Sequence, residues 1–225
     1  MFHSGRLALT APGRQCSRMS QISIRMIASP TGTLEALVDE AADATRAIVL
    51  CHPHPQYGGS MHDGVLDTVA AAARRHRFAT VRFNFRGVGA SSGRYDNGVG
   101  EVDDLLAVVD WTRAHVGAKP LWVGGYSFGS NIAWRALDRC GEVEGAVLVA
   151  PPVAMMDFSA RPKSAPRLTI VAGDRDDYVD ARDLDRWAKT AAPGARVVSL
   201  AGADHFFSGG YAALAKAIDS AFAAD

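Results

Sequence analysis

The chain has no hydrophobic run long enough to cross a membrane and no excess of charge of either sign. Its 225 residues include 24 lysines and arginines and 24 aspartates and glutamates, a formal net charge of zero. Balanced charge gives no field that would attract nucleic acid or an anionic membrane. The apolar runs also fall well short of the ~20 residues of a membrane-spanning helix. We therefore expect neither a nucleic-acid partner nor a membrane partner.

Cysteines are also few. Cys16, Cys51 and Cys140 are widely spaced, odd in number and without CxxC spacing. This pattern favours a reducing cytoplasm over a disulfide scaffold, so we predict a cytoplasmic protein. Nothing in the sequence indicates its oligomeric state.

Acidic residues are missing before Glu35, whereas Arg6, Arg14 and Arg18 all lie in this first stretch. The segment is loosely like a transit peptide but has no apolar core of a secretory signal. We interpret residues 1–19 as a disordered leader or the product of an upstream start codon. Residues 20–225 then form a single domain, as the 48% hydrophobic and 21% charged composition is typical of a globular chain.

Short apolar runs alternate with helical patterns along the rest of the chain. "AIVLCHP" and "PLWVGGY" are typical of strands buried on both faces, and "GEVDDLLAVVDWTRAHV" is typical of a helix. This alternation predicts a mostly parallel sheet with helices on both faces. Ligands bind such sheets at the carboxyl ends of the strands, where this chain places polar and reactive side chains. They are His52, His54, Arg86, Ser127, Asp174, Asp176 and His205.

One of these side chains lies in a G-x-S-x-G motif between a predicted strand and a predicted helix. In Gly125-Tyr126-Ser127-Phe128-Gly129 the flanking glycines give room for the sharp turn of a nucleophile elbow. A serine nucleophile needs a base and an orienting carboxylate, expected here in the order acid, then histidine. "GADHFF" supplies His205 as the base. "VAGDRDDYV" supplies the acid, for which the candidates are Asp174, Asp176, Asp177 and Asp180.

These motifs together resemble the α/β-hydrolase superfamily. G-Y-S-F-G, G-D-R-D-D-Y-V and G-A-D-H-F-F look like its triad motifs, and "HPHPQYGG" and "FNFRGVGASSG" resemble a small bacterial branch near the dienelactone hydrolases and uncapped esterases. The family pattern G-x-x-D-x-x-V selects Asp176, so the implied catalytic residues are Ser127, Asp176 and His205. The resemblance implies an α/β fold with a mostly parallel eight-stranded sheet whose second strand is antiparallel. It also implies hydrolysis without a metal or organic cofactor.

The same resemblance implies an oxyanion hole. Many family members carry His-Gly-x-Pro after the third strand, and the x residue donates its backbone N–H to the oxyanion. By that match His54 is the x residue, and the N–H of Phe128 is its partner. Pro53 stands where the family usually has glycine.

The segment "APPVAMMDFSARPKSAPR" is too short to hold a helical lid. We therefore expect no cap domain and an open site edged by Met155, Met156 and Phe158 as substrate-binding residues. Such a site suits small soluble acyl substrates. The prediction is a carboxylesterase-like serine hydrolase that cleaves small carboxylic esters or related acyl compounds through an acyl-enzyme.

Three alternatives remain. A metal-dependent hydrolase could use His52 and His54, with further ligands among Asp174, Asp176 and His205. The chain could instead be a hydrolase fold retained as a non-catalytic binding module. Finally, the glycine-rich run 87–93 hints at a nucleotide site, but its G-x-G-x-x-x-G spacing does not fit the fingerprint.

Overall fold

The computed structural model describes residues 21–117, 120–160, 162–163 and 167–223. Within these residues the chain forms one sheet of eight strands and five α-helices. The strands are β1 (Gln21–Ser29), β2 (Gly32–Glu40), β3 (Arg46–Cys51), β4 (Phe78–Phe83), β5 (Leu121–Tyr126), β6 (Gly145–Val149), β7 (Arg167–Gly173) and β8 (Arg196–Leu200). The helices are α1 (Gly64–Arg75), α2 (Gly100–His115), α3 (Phe128–Ala136), α4 (Ala181–Ala191) and α5 (Tyr211–Ala223). The leader predicted over residues 1–19 lies outside the described part, and the single domain over 20–225 stays a prediction.

The sheet has the order β1-β2-β4-β3-β5-β6-β7-β8. Strand β2 runs antiparallel to both of its neighbours, and all pairs from β4 to β8 are parallel. The mostly parallel eight-stranded sheet with an antiparallel second strand is therefore confirmed. Because the strands from β3 onward are parallel, their carboxyl ends meet at one edge of the sheet.

Both faces of the sheet are covered. Helices α1 and α5 pack against each other and against the sheet, and α2 and α3 form a second contacting pair. Strands β4, β5 and β6 are buried at every position, which explains the continuous apolar sequences of β5 and β6. Burying each large side chain of this core contributes about 1.5–3 kcal/mol, so the central strands are firmly held.

The described part of the chain has no cap domain. Residues 150–160 and 162–163, between β6 and β7, form turns and irregular structure only. Of the helices described, none combines the length and apolar character needed to cross a membrane. The carboxyl edge of the sheet is thus open to solvent beside the segment between β6 and β7.

Candidate active site

Ser127 lies at the junction of β5 and α3 in a strained backbone conformation. Its φ is +52° and its ψ is −118°, a region whose occupation by a residue other than glycine costs of order 1–3 kcal/mol. Hydrogen bonds hold the turn: the Ser127 N–H donates to the Val149 oxygen at 2.9 Å, and the Ser127 oxygen accepts from the Ser130 N–H at 2.9 Å. The conformation lifts the Ser127 hydroxyl to the carboxyl edge of the sheet.

Close backbone packing explains the glycines around Ser127. A Cβ atom at Gly125 would clash with the backbone of Gly129, and one at Gly129 would clash with the Cys51 carbonyl at the end of β3. Neither glycine has a positive φ. Their role is therefore to let the elbow cross close to itself and to β3.

The hydroxyl of Ser127 forms a hydrogen-bonded chain with two buried side chains. Its Oγ lies 3.0 Å from Nε2 of His205. The other ring nitrogen, Nδ1, lies 2.8 and 3.0 Å from the two carboxylate oxygens of Asp176. With Nδ1–H donating to the carboxylate, Nε2 is left to accept the serine proton. All three triad residues expected from the sequence meet in this chain.

Backbone and side-chain contacts fix this arrangement. Asp176 accepts hydrogen bonds from the N–H groups of Tyr178 and Val179 at 2.8 and 3.0 Å. The Tyr126 hydroxyl donates to the carbonyl oxygen of His205 at 2.9 Å, and burial raises the pKa of Tyr126, which keeps it protonated. Tyr126 is the residue before the serine, so the elbow itself holds the histidine loop.

Asp174 is exposed and binds elsewhere. It accepts a hydrogen bond from the Gly202 N–H at 2.6 Å, which ties the end of β7 to the loop after β8. It makes no contact with His205. The geometry thus separates the two aspartates that the sequence left as neighbouring candidates.

His54 lies beside the elbow at the start of a 3-10 turn over Pro55–Tyr57. Its Nδ1 accepts from the Gln56 N–H at 3.2 Å, and its Nε2 lies 3.2 Å from the Tyr95 hydroxyl. Partial burial lowers the pKa of His54 and so favours the neutral ring. Because Nδ1 accepts a hydrogen bond, the proton of that neutral ring lies on Nε2. The ring packs on Phe128 at 5.0 Å between centroids. The imidazole is therefore engaged in holding its own loop.

The backbone N–H groups of His54 and Phe128 find no acceptor among the described residues. Phe128 is the first residue of α3, and the first amides of a helix have no partner within the helix. Such free amides next to a serine hydroxyl suit an oxygen that becomes negatively charged.

His52 is fully buried and structural. Its Nδ1 lies 2.6 Å from the Pro53 oxygen, and its Nε2 accepts from the Phe85 N–H at 3.1 Å. Burial lowers the pKa of His52 to about 4, so the ring is neutral. Both ring nitrogens are occupied, which removes His52 as a metal ligand. In the part of the chain described, no three His, Cys, Asp or Glu side chains cluster as metal ligands do.

The loop after β4 contributes the Tyr95 that contacts His54, and sequence reasoning missed this residue. Fully buried Glu101 fixes the loop, because its carboxylate accepts from the N–H groups of Asp96 and Gly98 at 2.8 Å each. Glu101 lies four and seven residues before the buried Leu105 and Val108 and so shares their face of α2, which was the available signal for its burial.

Arg86 and Asp104 form a buried ion pair behind this loop. The guanidinium donates to the two carboxylate oxygens at 2.8 and 3.0 Å, and Asp104 raises the pKa of Arg86. In the glycine-rich run, the Ala90 N–H donates to Glu35 and the Gly87 N–H to the Ser92 oxygen. Five of the seven amides in the run 87–93 donate to such internal acceptors, so the run does not present the row of free N–H groups typical of a nucleotide site.

The three residues predicted to contact substrate differ in exposure. Met155 is 65% exposed, Met156 is half-buried, and Phe158 is only 4% exposed. The Phe158 ring lies against Trp187 of α4 at 5.3 Å between centroids. It therefore packs beneath the rim of the site, the segment 150–160 that follows β6. Substrate contact by Met155, Met156 and Phe158 stays a prediction.

This rim segment is bound to the helices below it. The Asn131 side chain donates to the Asp157 oxygen at 2.6 Å, and the Trp134 indole N–H donates to the Ala160 oxygen at 3.0 Å. The Trp187 indole N–H donates to the Phe158 oxygen at 3.0 Å. These bonds fix the rim to α3 and α4.

Known proteins that resemble this chain share its architecture. The family model of the α/β-hydrolase fold matches residues 46–168. An uncharacterised protein of Rickettsia prowazekii is 34% identical over 189 residues, which cover 79% of each chain. A serine hydrolase without a lid from Xanthomonas campestris is 33% identical with a TM-score of 0.83, covering 91% of this chain and 94% of its own. A serine hydrolase homologue from Coxiella burnetii is 36% identical with a TM-score of 0.82, covering 88% and 96%.

A mainly parallel sheet with serine, acid and histidine at its carboxyl edge defines a class, the α/β hydrolases. The chain belongs to the α/β-hydrolase family, in the group without a cap domain. It is therefore a hydrolase, and the resemblance found in the sequence is confirmed.

Proposed function

We propose that the protein is a serine esterase that cleaves small carboxylic esters or related acyl compounds with Ser127, His205 and Asp176 as its catalytic triad. The observation that carries the proposal is the chain of contacts from Ser127 Oγ to His205 Nε2 at 3.0 Å and from His205 Nδ1 to Asp176 at 2.8 Å. A binding module needs no such chain of contacts, so this geometry favours catalysis over a non-catalytic role.

In the first half of the reaction, Ser127 Oγ bonds to the acyl carbon and its proton passes to His205 Nε2. The carbonyl oxygen becomes negatively charged and accepts hydrogen bonds from the N–H groups of His54 and Phe128. The bond to the alcohol then breaks, and the departing oxygen takes the proton from His205. Asp176 stabilises the imidazolium that forms in between.

In the second half, a water molecule gives one proton to His205 and bonds through its oxygen to the acyl carbon. The bond to Ser127 breaks, and Ser127 Oγ regains its proton from His205. The products are the carboxylic acid and the free serine. Every proton in this cycle moves through His205, so the reaction needs no group beyond this chain, its substrate and water.

Replacing the nucleophile tests the proposal. Ser127→Ala is expected to fold as the wild type does but to lose ester hydrolysis and labelling by a fluorophosphonate probe, because the triad acts as a unit. Ser159→Ala, an exposed serine on the same rim, is the matched control and should be labelled like the wild type. Substantial turnover or labelling of Ser127→Ala would contradict the triad. Activity abolished by a chelator would favour the metal alternative.

A further inference from the structure

Two exposed aromatic side chains flank His205 on the outer side of the site. Tyr178 is 45% exposed and Phe206 is 57% exposed. Their ring centroids lie 4.6 and 5.5 Å from that of the His205 imidazole. The two rings are 6.2 Å apart and nearly perpendicular, at 82°. Together they form an apolar corner that opens to solvent beside the His205 ring.

The fold does not require aromatic rings at these positions. Tyr178 supports Asp176 through its backbone N–H, which almost any residue would supply. The core position in the histidine loop is filled by the next residue, Phe207, which is fully buried. Exposed apolar surface at the edge of a site is typical of ligand binding.

The proton path of the proposed reaction assigns this corner to one part of the substrate. The carbonyl oxygen must lie at the amides of His54 and Phe128, whereas the departing oxygen must lie within hydrogen-bond reach of His205 Nε2. The group attached to that oxygen therefore extends over the His205 side, where Tyr178 and Phe206 lie.

We propose that Tyr178 and Phe206 bind the alcohol part of the ester and that the preferred alcohols carry a planar aromatic ring. Perpendicular rings about 6 Å apart offer a third ring one face and one edge, the arrangements that aromatic pairs favour. This inference rests on the proposed function and deepens it by naming the leaving group.

The charged residues next to Tyr178 and His205 further restrict the class of alcohol that this corner would bind. Asp177 is exposed beside Tyr178, and Asp204 precedes His205. Hydrogen bonds from Ser208 lower the pKa of Asp204 and keep it ionised. Like charges repel, so alcohols that bear a carboxylate or phosphate are disfavoured. The expected leaving group is a neutral aromatic alcohol.

A set of acetate esters tests the inference with the acyl group held constant. The measurement is kcat/KM for benzyl, cyclohexylmethyl and ethyl acetate, each divided by the rate of alkaline hydrolysis of that ester to remove leaving-group reactivity. Aromatic pairs contribute about 0.5–1.5 kcal/mol beyond burial, so benzyl acetate should exceed cyclohexylmethyl acetate by roughly two- to twelvefold.

Leucine variants test whether Tyr178 and Phe206 cause the preference for benzyl acetate. Tyr178→Leu and Phe206→Leu keep apolar bulk but remove the rings, and each should bring the benzyl to cyclohexylmethyl ratio towards one. Tyr57→Leu is the matched control, because Tyr57 is 86% exposed and its ring lies beside the His54 ring, whereas the exposed rings beside His205 are those of Tyr178 and Phe206. It should leave the ratio as in the wild type.

Failure of this inference is distinguishable from failure of the proposed function. The alcohol site is overturned if the benzyl to cyclohexylmethyl ratio is near one in the wild type, or if it falls only in Tyr57→Leu. Continued cleavage of ethyl acetate would then show that the proposed function still holds. If no acetate is cleaved and Ser127 is not labelled, the proposed function itself fails. A ratio that falls in both leucine variants at the corner, and not in the control, supports the inference.

Discussion

Two aspartates separated by one residue have different tasks in this site. Asp176 is buried and binds His205, and Asp174 is exposed and binds the Gly202 N–H. In the proposed mechanism Asp176 holds the tautomer that lets Ser127 lose its proton. Asparagine at this position would favour the wrong tautomer, so Asp176→Asn should lower kcat by roughly 10⁴-fold.

Asp174→Asn is the matched control for that prediction. Its amide oxygen can still accept from Gly202, so we expect nearly unchanged kcat. Because the bond is no longer charge-assisted, the free energy of unfolding should fall by about 1 kcal/mol or less. Steady-state kinetics and urea denaturation of both variants give the two quantities. A larger loss of kcat in Asp174→Asn than in Asp176→Asn would transfer the acid role to Asp174.

His54 allows its backbone and its side chain to be tested separately. His54→Ala removes the bonds to Gln56 and Tyr95 but keeps the N–H, so much of the activity should remain. His54→Pro removes the N–H itself, at an expected cost of ~100- to 1000-fold in kcat. The φ of His54 is −56°, which proline can adopt.

The kinetics of the two His54 variants should be compared at equal folded fraction, checked by circular dichroism, because Pro53 and Pro55 flank the site. A nearly inactive His54→Ala would show that the imidazole takes part in the chemistry. A His54→Pro variant that folds and retains wild-type activity would remove His54 from the oxyanion hole.

At the scale of elements, the approach of the elbow to β3 determines whether Ser127 reaches its position. An added Cβ at Gly129 would meet the carbonyls of Cys51 and His52, both of them backbone atoms. Gly129→Ala must push α3 away from β3, which we expect to cost roughly 1–3 kcal/mol of stability, as overpacking does, together with a loss of activity.

Gly210→Ala is the control for this prediction, because a Cβ there meets nothing closer than 3.5 Å and its φ is not positive. Its melting temperature should stay near that of the wild type, whereas that of Gly129→Ala should fall. Equal melting temperatures for the two variants would show that the elbow has room to adjust.

The sequence predicted most of these elements and part of the site. Buried strands such as β5 are continuous apolar runs, and Ser127 lies in a motif that marks the strand–helix turn. Tyr95 could not be found this way, because its contact with His54 depends on how a long loop folds back. Phe158 was expected at the open edge from its position in the chain alone, and the ring in fact packs against Trp187.

At the scale of the whole molecule, the candidate site is an open edge with a fixed rim. The rim is held by hydrogen bonds from α3 and α4, and the described part of the chain has no cap domain. Enzymes that act at lipid interfaces gain rate when a mobile lid opens. A fixed, open rim provides neither such a switch nor a deep channel for a long acyl chain.

We therefore expect the protein to prefer short acyl chains and to show no jump in rate at a lipid interface. The measurement is kcat/KM for the p-nitrophenyl esters of acetate, butyrate, octanoate and palmitate, in which the leaving group is constant and only the acyl part varies. The values should not rise from the short to the long esters, because the solvent-exposed edge buries little of a long chain and so gains little of the about 0.8 kcal/mol that each buried CH₂ would contribute. Tributyrin, assayed below and above its solubility limit, should give a smooth saturation curve. A preference for palmitate, or a sharp rise once droplets form, would contradict the small-ester prediction and would leave the triad unaffected.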